Sequence, residues 1–202
     1  MLSVIALLVP ARATAALGDE QALAETYAPV VRLVEQPHEC GPGEPYEPID
    51  VNVLFDESTV ALRGPWNPVD LVKIAPSARD IVGLYQYHLD FPGSALQPGC
   101  DYERWARRIT QRTNPTVYAH VASEPASPGR LALQYWFFYA FNDFNNLHEG
   151  DWEMIQLVFD AGDAREALSK RPVEVGYSSN EGAERAPWGD ERLTLDGTHP
   201  VV

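Results

Sequence analysis

The 202-residue chain carries 15 lysines and arginines against 29 aspartates and glutamates, a net charge of −14. Phosphate contacts need the opposite kind of surface, so a nucleic-acid binder is excluded. Hydrophobic content of 45% with 22% charged residues excludes wholesale disorder, and 17 prolines with 14 glycines cut the sequence into short pieces that favour strands and loops over long helices.

In chain order, residues 2–9 (LSVIALLV) form an apolar run ending at Pro10, and Ala13-Thr14-Ala15 fits a signal-peptidase site. Residues 1–15 are therefore expected to be a signal peptide or its remnant, although no Lys or Arg precedes the run. The run is too short to span a bilayer, and no later stretch reads as a span. The expected location is secreted or extracytoplasmic, with residues 16–202 forming one domain. Asp19–Thr26 reads as a short helix, followed by the strand-like Val30–Val34. Cys40 and Cys100 sit in Gly/Pro-rich loops, and in an exported chain they are candidates for a disulfide. Two free thiols, or pairing with a cysteine elsewhere, remain open alternatives. Their spacing matches no zinc pattern.

Ile49–Phe55 alternates apolar and polar residues and reads as a strand. Thr59–Leu62 reads as another, Leu71–Ile74 is ambiguous, and Tyr85–Leu89 looks extended. Asp101 suits the N-cap of a helix running to about Arg112. Its stripe of Tyr102, Trp105 and Ile109 predicts a packing face, and Arg104, Arg107, Arg108 and Arg112 around it form a basic spot. Thr116–Ala122, the aromatic Leu131–Phe141 and Asp151–Phe159 are the strongest strand signals. Asp163, with Glu166 three residues on, predicts a capped helix over Asp163–Lys170. Val173–Tyr177 reads as a strand, and His199–Val202 begins another that stops at the last residue. The expected fold is mainly β: a β-sandwich with short inserted helices, truncated at its C-terminus.

The chemistry concentrates between Asn142 and Glu153. If Asp151–Phe159 is a strand, alternation puts Asp151 and Glu153 on one face and Trp152 with Met154 on the other, towards a core. Two neighbouring carboxylates raise each other's pKa unless a positive charge lies between them. A cation is the simplest cure, and His148 with Asp143 can fold back from the connecting loop to the same point. Asp143, His148, Asp151 and Glu153 make an oxygen-rich donor set that suits Mg²⁺, Ca²⁺ or Mn²⁺ better than Zn²⁺ or Cu²⁺. His38, His88, His120 and His199 show no ligand spacing.

The run Gln134-Tyr135-Trp136-Phe137-Phe138-Tyr139, followed by His148-Glu149-Gly150-Asp151-Trp152-Glu153, resembles the hallmark of the vacuolar protein sorting-associated protein 62 family, which includes many secreted bacterial proteins. Leu23-Ala24-Glu25, Tyr27-Ala28-Pro29-Val30-Val31 and Tyr46-Glu47-Pro48 resemble that family's opening. The same aromatic strand and acidic segment are more distantly similar to the necrosis- and ethylene-inducing peptide-like cytolysins, which are β-sandwiches. In that family a motif of this kind surrounds a divalent cation, and the resemblance implies the same role for Asp143, His148, Asp151 and Glu153. The chain departs from the cytolysin motif in carrying Glu149 and Gly150 where the motif has arginine and a second histidine, which puts cytolytic activity in doubt.

The expected function is an exported binding module that holds Mg²⁺ or Ca²⁺ and engages a glycan, a lipid headgroup or a membrane surface. The alternatives are a metal-dependent hydrolase of glycans or phosphoesters, for which no reaction can be assigned, and a purely structural surface domain.

Overall fold

Strand β5 (Leu131–Asn142) and strand β6 (His148–Phe159) are the longest strands among the described residues, 12 residues each. Both are rich in the aromatic and β-branched side chains that suit a pleated, half-buried surface. They lie in the middle of a five-stranded sheet ordered β4-β5-β6-β7-β8, completed by β4 (Val117–Ser123), β7 (Glu174–Ser179) and β8 (Gly182–Pro187). A three-stranded antiparallel sheet takes its strands in the order β2-β1-β3, from β1 (Ala61–Arg63), β2 (Leu71–Ile74) and β3 (His88–Asp90). A small ribbon pairs β9 (Leu195–Asp196) with β10 (His199–Pro200). The structure is a computed structural model that describes residues 11–41, 46–65, 70–94, 96–97, 99–142, 147–179 and 182–202. Among the described residues strands outweigh helices, and the chain is mainly β, as expected. The apolar run at residues 1–10 lies outside the described residues.

The chain divides into two compact units: residues 1–32, 119–135 and 154–202 in one, 33–118 and 136–153 in the other. In the first, helix α1 (Ala11–Thr26) and the short α3 (Ala164–Ala167) are joined by the ion pair Asp19–Arg165 at 2.9 Å. α1 begins eight residues before the expected start, because its helical backbone takes in the alanine-rich Ala11–Gly18 stretch as well. Leu23, Tyr27, Leu133, Leu157, Phe159 and Val175 are all buried. The Tyr27 hydroxyl donates to the Lys170 carbonyl at 2.9 Å and the Tyr135 hydroxyl to the Ala24 carbonyl at 2.7 Å. β6 and β7 pair antiparallel, Leu157 opposite Val175, and β7 pairs with β8 through Val175 and Ala186. Asp163 caps α3 as expected, its Oδ1 accepting from the Glu166 amide at 2.8 Å, while Glu166 Oε2 accepts from the Gly162 amide at 2.7 Å, and the helix ends at Ala167, short of the expected Lys170. Val30–Val34 forms no strand of its own. Val30 makes a single parallel bridge to Val201.

The second unit is built around α2 (Asp101–Thr110). Tyr102, Trp105 and Ile109 are buried as their spacing predicts, and they pack with Ile49, Leu54, Val60, Phe91, Phe138 and Phe141. Trp105 stacks on Phe91 with ring centroids 4.4 Å apart, and Tyr102 stacks on Phe141 at 4.6 Å. The expected basic spot is largely neutralised. Arg104 pairs with Glu39, Arg107 with Glu103, and Arg112 with Glu57. Glu103 is buried and also accepts from the Gln36 amide and the Cys40 backbone, both at 2.8 Å. Cys40 and Cys100 form a disulfide, with Cα atoms 5.2 Å apart across a separation of 60 residues.

A second expected strand is overturned. Val51–Leu54 is a 3-10 helix because the Asp50 carboxylate accepts from the Asn52 amide at 2.9 Å and draws the chain into a turn. This side-chain competition with the backbone is typical of Asp and outweighs the apolar alternation of Ile49–Phe55.

Candidate functional site

β6 begins at His148, so His148 and Glu149 belong to the strand and not to a loop folding back over it. The reason lies at Gly150, whose φ of +68° is in the left-handed region that glycine enters without a Cβ penalty. A residue there interrupts the two-residue period in the way a glycine bulge does. His148 and Asp151 are three apart and would face opposite ways in a regular strand. Here they meet, His148 Nε2 lying 3.3 Å from Asp151 Oδ1.

Asp151 is buried, and its other oxygen accepts from Asn142 Nδ2 at 3.3 Å. Glu153, two residues on, keeps the side of Asp151. Its carboxyl is pushed up to about 7, first by burial and then by the Asp151 carboxylate, while the His148 imidazole pulls the other way. Three of the four expected ligands, His148, Asp151 and Glu153, therefore act on one another in this unit. Asp143 lies outside the described residues.

A carboxyl half-protonated near neutrality beside a buried carboxylate is short of positive charge. Oxygen donors from Asp151 and Glu153 with one imidazole match the ligand chemistry of Ca²⁺ or Mg²⁺. A bound cation of that kind would supply the charge that the Glu153 proton supplies without it. Among the described residues, the group of three candidate ligands whose donor atoms lie within 4.8 Å of one another is Glu39, Cys40 and Cys100, whereas His148, Asp151 and Glu153 do not form so tight a group. Both sulfurs of the tighter group are consumed by the disulfide, so it does not offer the thiolates a metal would take.

The opposite side of β6 corrects the sequence reading. Trp152 is expected in a core yet is 45% exposed, and Met154 is half-buried. At this point the buried side of the strand is that of Asp151, whose carboxylate is satisfied by Asn142 and His148, which leaves the indole on the outer side. It is flanked there by Phe138 at 5.0 Å, Tyr118 at 5.7 Å and Trp136 at 6.4 Å between ring centroids.

Two residues near the site escaped sequence reasoning. Asn142, at the last position of β5, holds Asp151. Glu149 accepts from the Tyr102 hydroxyl and, at 3.0 Å, from the Phe91 amide. Burial raises its pKa, those two donors work against the rise, and Asp90 adds to it. Glu149 thus ties β6 to the start of α2. A glutamate flanked by strand residues carries no mark of such a partner, since Tyr102 lies 47 positions away.

No family model matches the chain, and no curated protein matches it. Among solved structures, one of NLPPya in complex with glucosamine is similar over 91% of this chain and 60% of its own, with a TM-score of 0.45 and 18% identity. A structure of the same protein in complex with mannosamine gives the same figures. Necrosis and Ethylene inducing Protein 2, from the causal agent of cocoa's witches' broom disease, is similar over 89% of this chain and 59% of its own, with a TM-score of 0.44 and 14% identity. The chain thus spans about three fifths of the length of these structures. At this level of likeness, function has to come from the residues themselves.

Proposed function

We propose that the chain is an exported binding module that holds a divalent cation, Ca²⁺ or Mg²⁺, with His148, Asp151 and Glu153, joined by Asp143, and uses it to bind the polar hydroxyls or phosphate of a glycan or lipid headgroup. The observation that carries this reading is the meeting of His148 and Asp151 at 3.3 Å beside a Glu153 carboxyl held at about 7. That arrangement favours whatever brings positive charge to it. The disulfide is consistent with an oxidising compartment, and among the described residues no helix is long and apolar enough to cross a membrane. His148 and Glu153 are only part-buried, so a cation there keeps room for an outside ligand.

Isothermal calorimetry with CaCl₂ and MgCl₂ tests the cation. Wild type is expected to bind one of them saturably, and Asp151→Asn to weaken that binding by roughly tenfold or more, since removing one charged ligand costs on the order of 1.4 kcal/mol or above. Equal heats from wild type and variant, or none from either, remove the cation from the reading.

A further inference from the structure

The outer side of β6 carries a second feature that the cation site does not use. Trp152 is 45% exposed, although large aromatic side chains gain most by burial. It does not wave freely, because Phe138, Tyr118 and Trp136 hold it with centroids 5.0, 5.7 and 6.4 Å away and planes inclined by 50°, 51° and 77°. Tyr118 is itself pinned: its hydroxyl donates to Asp50 Oδ1 at 2.8 Å and accepts from the Val51 amide at 2.9 Å. The result is a rigid aromatic platform, contributed by β4, β5 and β6, with a polar rim where Tyr118 meets Asp50 and Asn52. The Asp50 carboxylate also accepts from the Asn52 backbone and side-chain amides at 2.9 and 2.8 Å. These bonds, the backbone one first, hold its pKa below the usual range, so the rim is anionic.

Charge removes one class of occupant. An ionised carboxylate at the rim of a chain of net charge −14 repels nucleic acid, anionic lipid and acidic sugars. A second copy would set another chain of net charge −14 against the same anionic rim. The Tyr118 hydroxyl is already spent inside the protein, whereas a membrane-interface tyrosine keeps that group for water and headgroups. A neutral pyranose meets every condition. The weakly positive C–H face of its ring lies against the negative face of an indole, and its hydroxyls donate to a carboxylate and accept from an amide. Rigid aromatic anchors also bind at low entropic cost.

We propose that Trp152, framed by Tyr118, Trp136 and Phe138, is a stacking platform for a neutral glycan, with Asp50 and Asn52 reading its hydroxyls. This site is separate from the cation site. Trp152 points away from Asp151 and Glu153, so the platform binds sugar whether or not a cation is present.

The test is saturation-transfer NMR and calorimetry on the full chain in EDTA, with cellohexaose, mannohexaose and N-acetylglucosamine hexamer as probes. Chelation keeps the outcome independent of the cation proposal. At least one probe is expected to bind saturably, with saturation strongest on its ring C–H protons. Trp152→Ala should lose roughly tenfold or more in affinity, Trp152→Phe should retain part of it, and Asp50→Asn should weaken binding with the aromatic platform intact. Thermal melts of each variant establish that it is folded, and should Trp152→Ala fail to fold, the Trp152→Phe and Asp50→Asn affinities decide. The proposal is overturned if no probe binds wild type, if binding is unchanged in the folded variants, or if wild type binds phosphatidylcholine vesicles and none of the sugars.

Discussion

Glu153 shows how much a single side chain is shaped by its surroundings. Its ordinary value is 4.5 and its folded value is about 7, with burial the first cause and the Asp151 carboxylate the second. A carboxyl whose pKa rises on folding binds its proton more tightly in the folded chain than in the unfolded one. Its contribution to stability is therefore complete below pH 4.5 and is lost as pH climbs through about 7. In EDTA, the melting temperature of wild type is expected to fall across that window, and Glu153→Gln should flatten the fall. Saturating CaCl₂ should do the same if the cation replaces the proton. A wild-type profile in chelator that matches Glu153→Gln throughout the window would show that the carboxyl is not held up by its site. Glu149 is the counterpart on the strand's near end. Its carboxyl is held by two donors, Tyr102 and Phe91, so it serves as an anchor.

At the scale of elements, β6 explains why part of the site was legible in the sequence and part was not. The pairing of Asp151 with Glu153 follows from strand alternation alone. The meeting of His148 with Asp151 does not, because it depends on the backbone of Gly150. Gly150 reads in the sequence as punctuation, while in the fold it is the joint that turns two residues of opposite parity to one side. An alanine there would meet Phe138 Cε2 at an ordinary 3.4 Å, so space is not the obstacle. The positive φ is, and it costs about 1 kcal/mol or more for a side chain with a Cβ. Gly150→Ala is expected to lower stability by that amount in urea unfolding and to weaken cation binding by disturbing His148 and Asp151. Unchanged stability would mean the strand tolerates a straight path there. Elsewhere, β5 and α2 were legible because aromatic runs and a helical stripe are strong patterns, and α3 because Asp163 and Glu166 act within their own turn. Ile49–Phe55 was misread because alternation carries no information about an Asp50 side chain that bonds its own backbone two residues on. Trp152 was misread for a related reason. Hydrophobicity predicts burial only on average, and here the polar residues Asp151 and Asn142 took the inner position.

For the molecule as a whole, the governing quantity is the charge of −14, and it acts against folding as well as against acidic partners. Compacting 29 acidic residues with 15 basic ones raises their mutual repulsion, and salt screens it within about 10 Å at 0.1 M. Salt also weakens the ion pairs, but pairs such as Lys73–Asp80 and Arg104–Glu39 sit at the surface, where each is worth ~0–1 kcal/mol. Repulsion should therefore dominate, and the urea midpoint is expected to rise between low salt and about 0.5 M NaCl; a fall would show that paired charges outweigh the excess. The Cys40–Cys100 disulfide opposes the same repulsion from the unfolded side. By closing a 60-residue loop it removes chain entropy worth ~4 kcal/mol. Reduction should accordingly lower stability most at low salt, where the excess charge is least screened, and added NaCl should recover part of the loss.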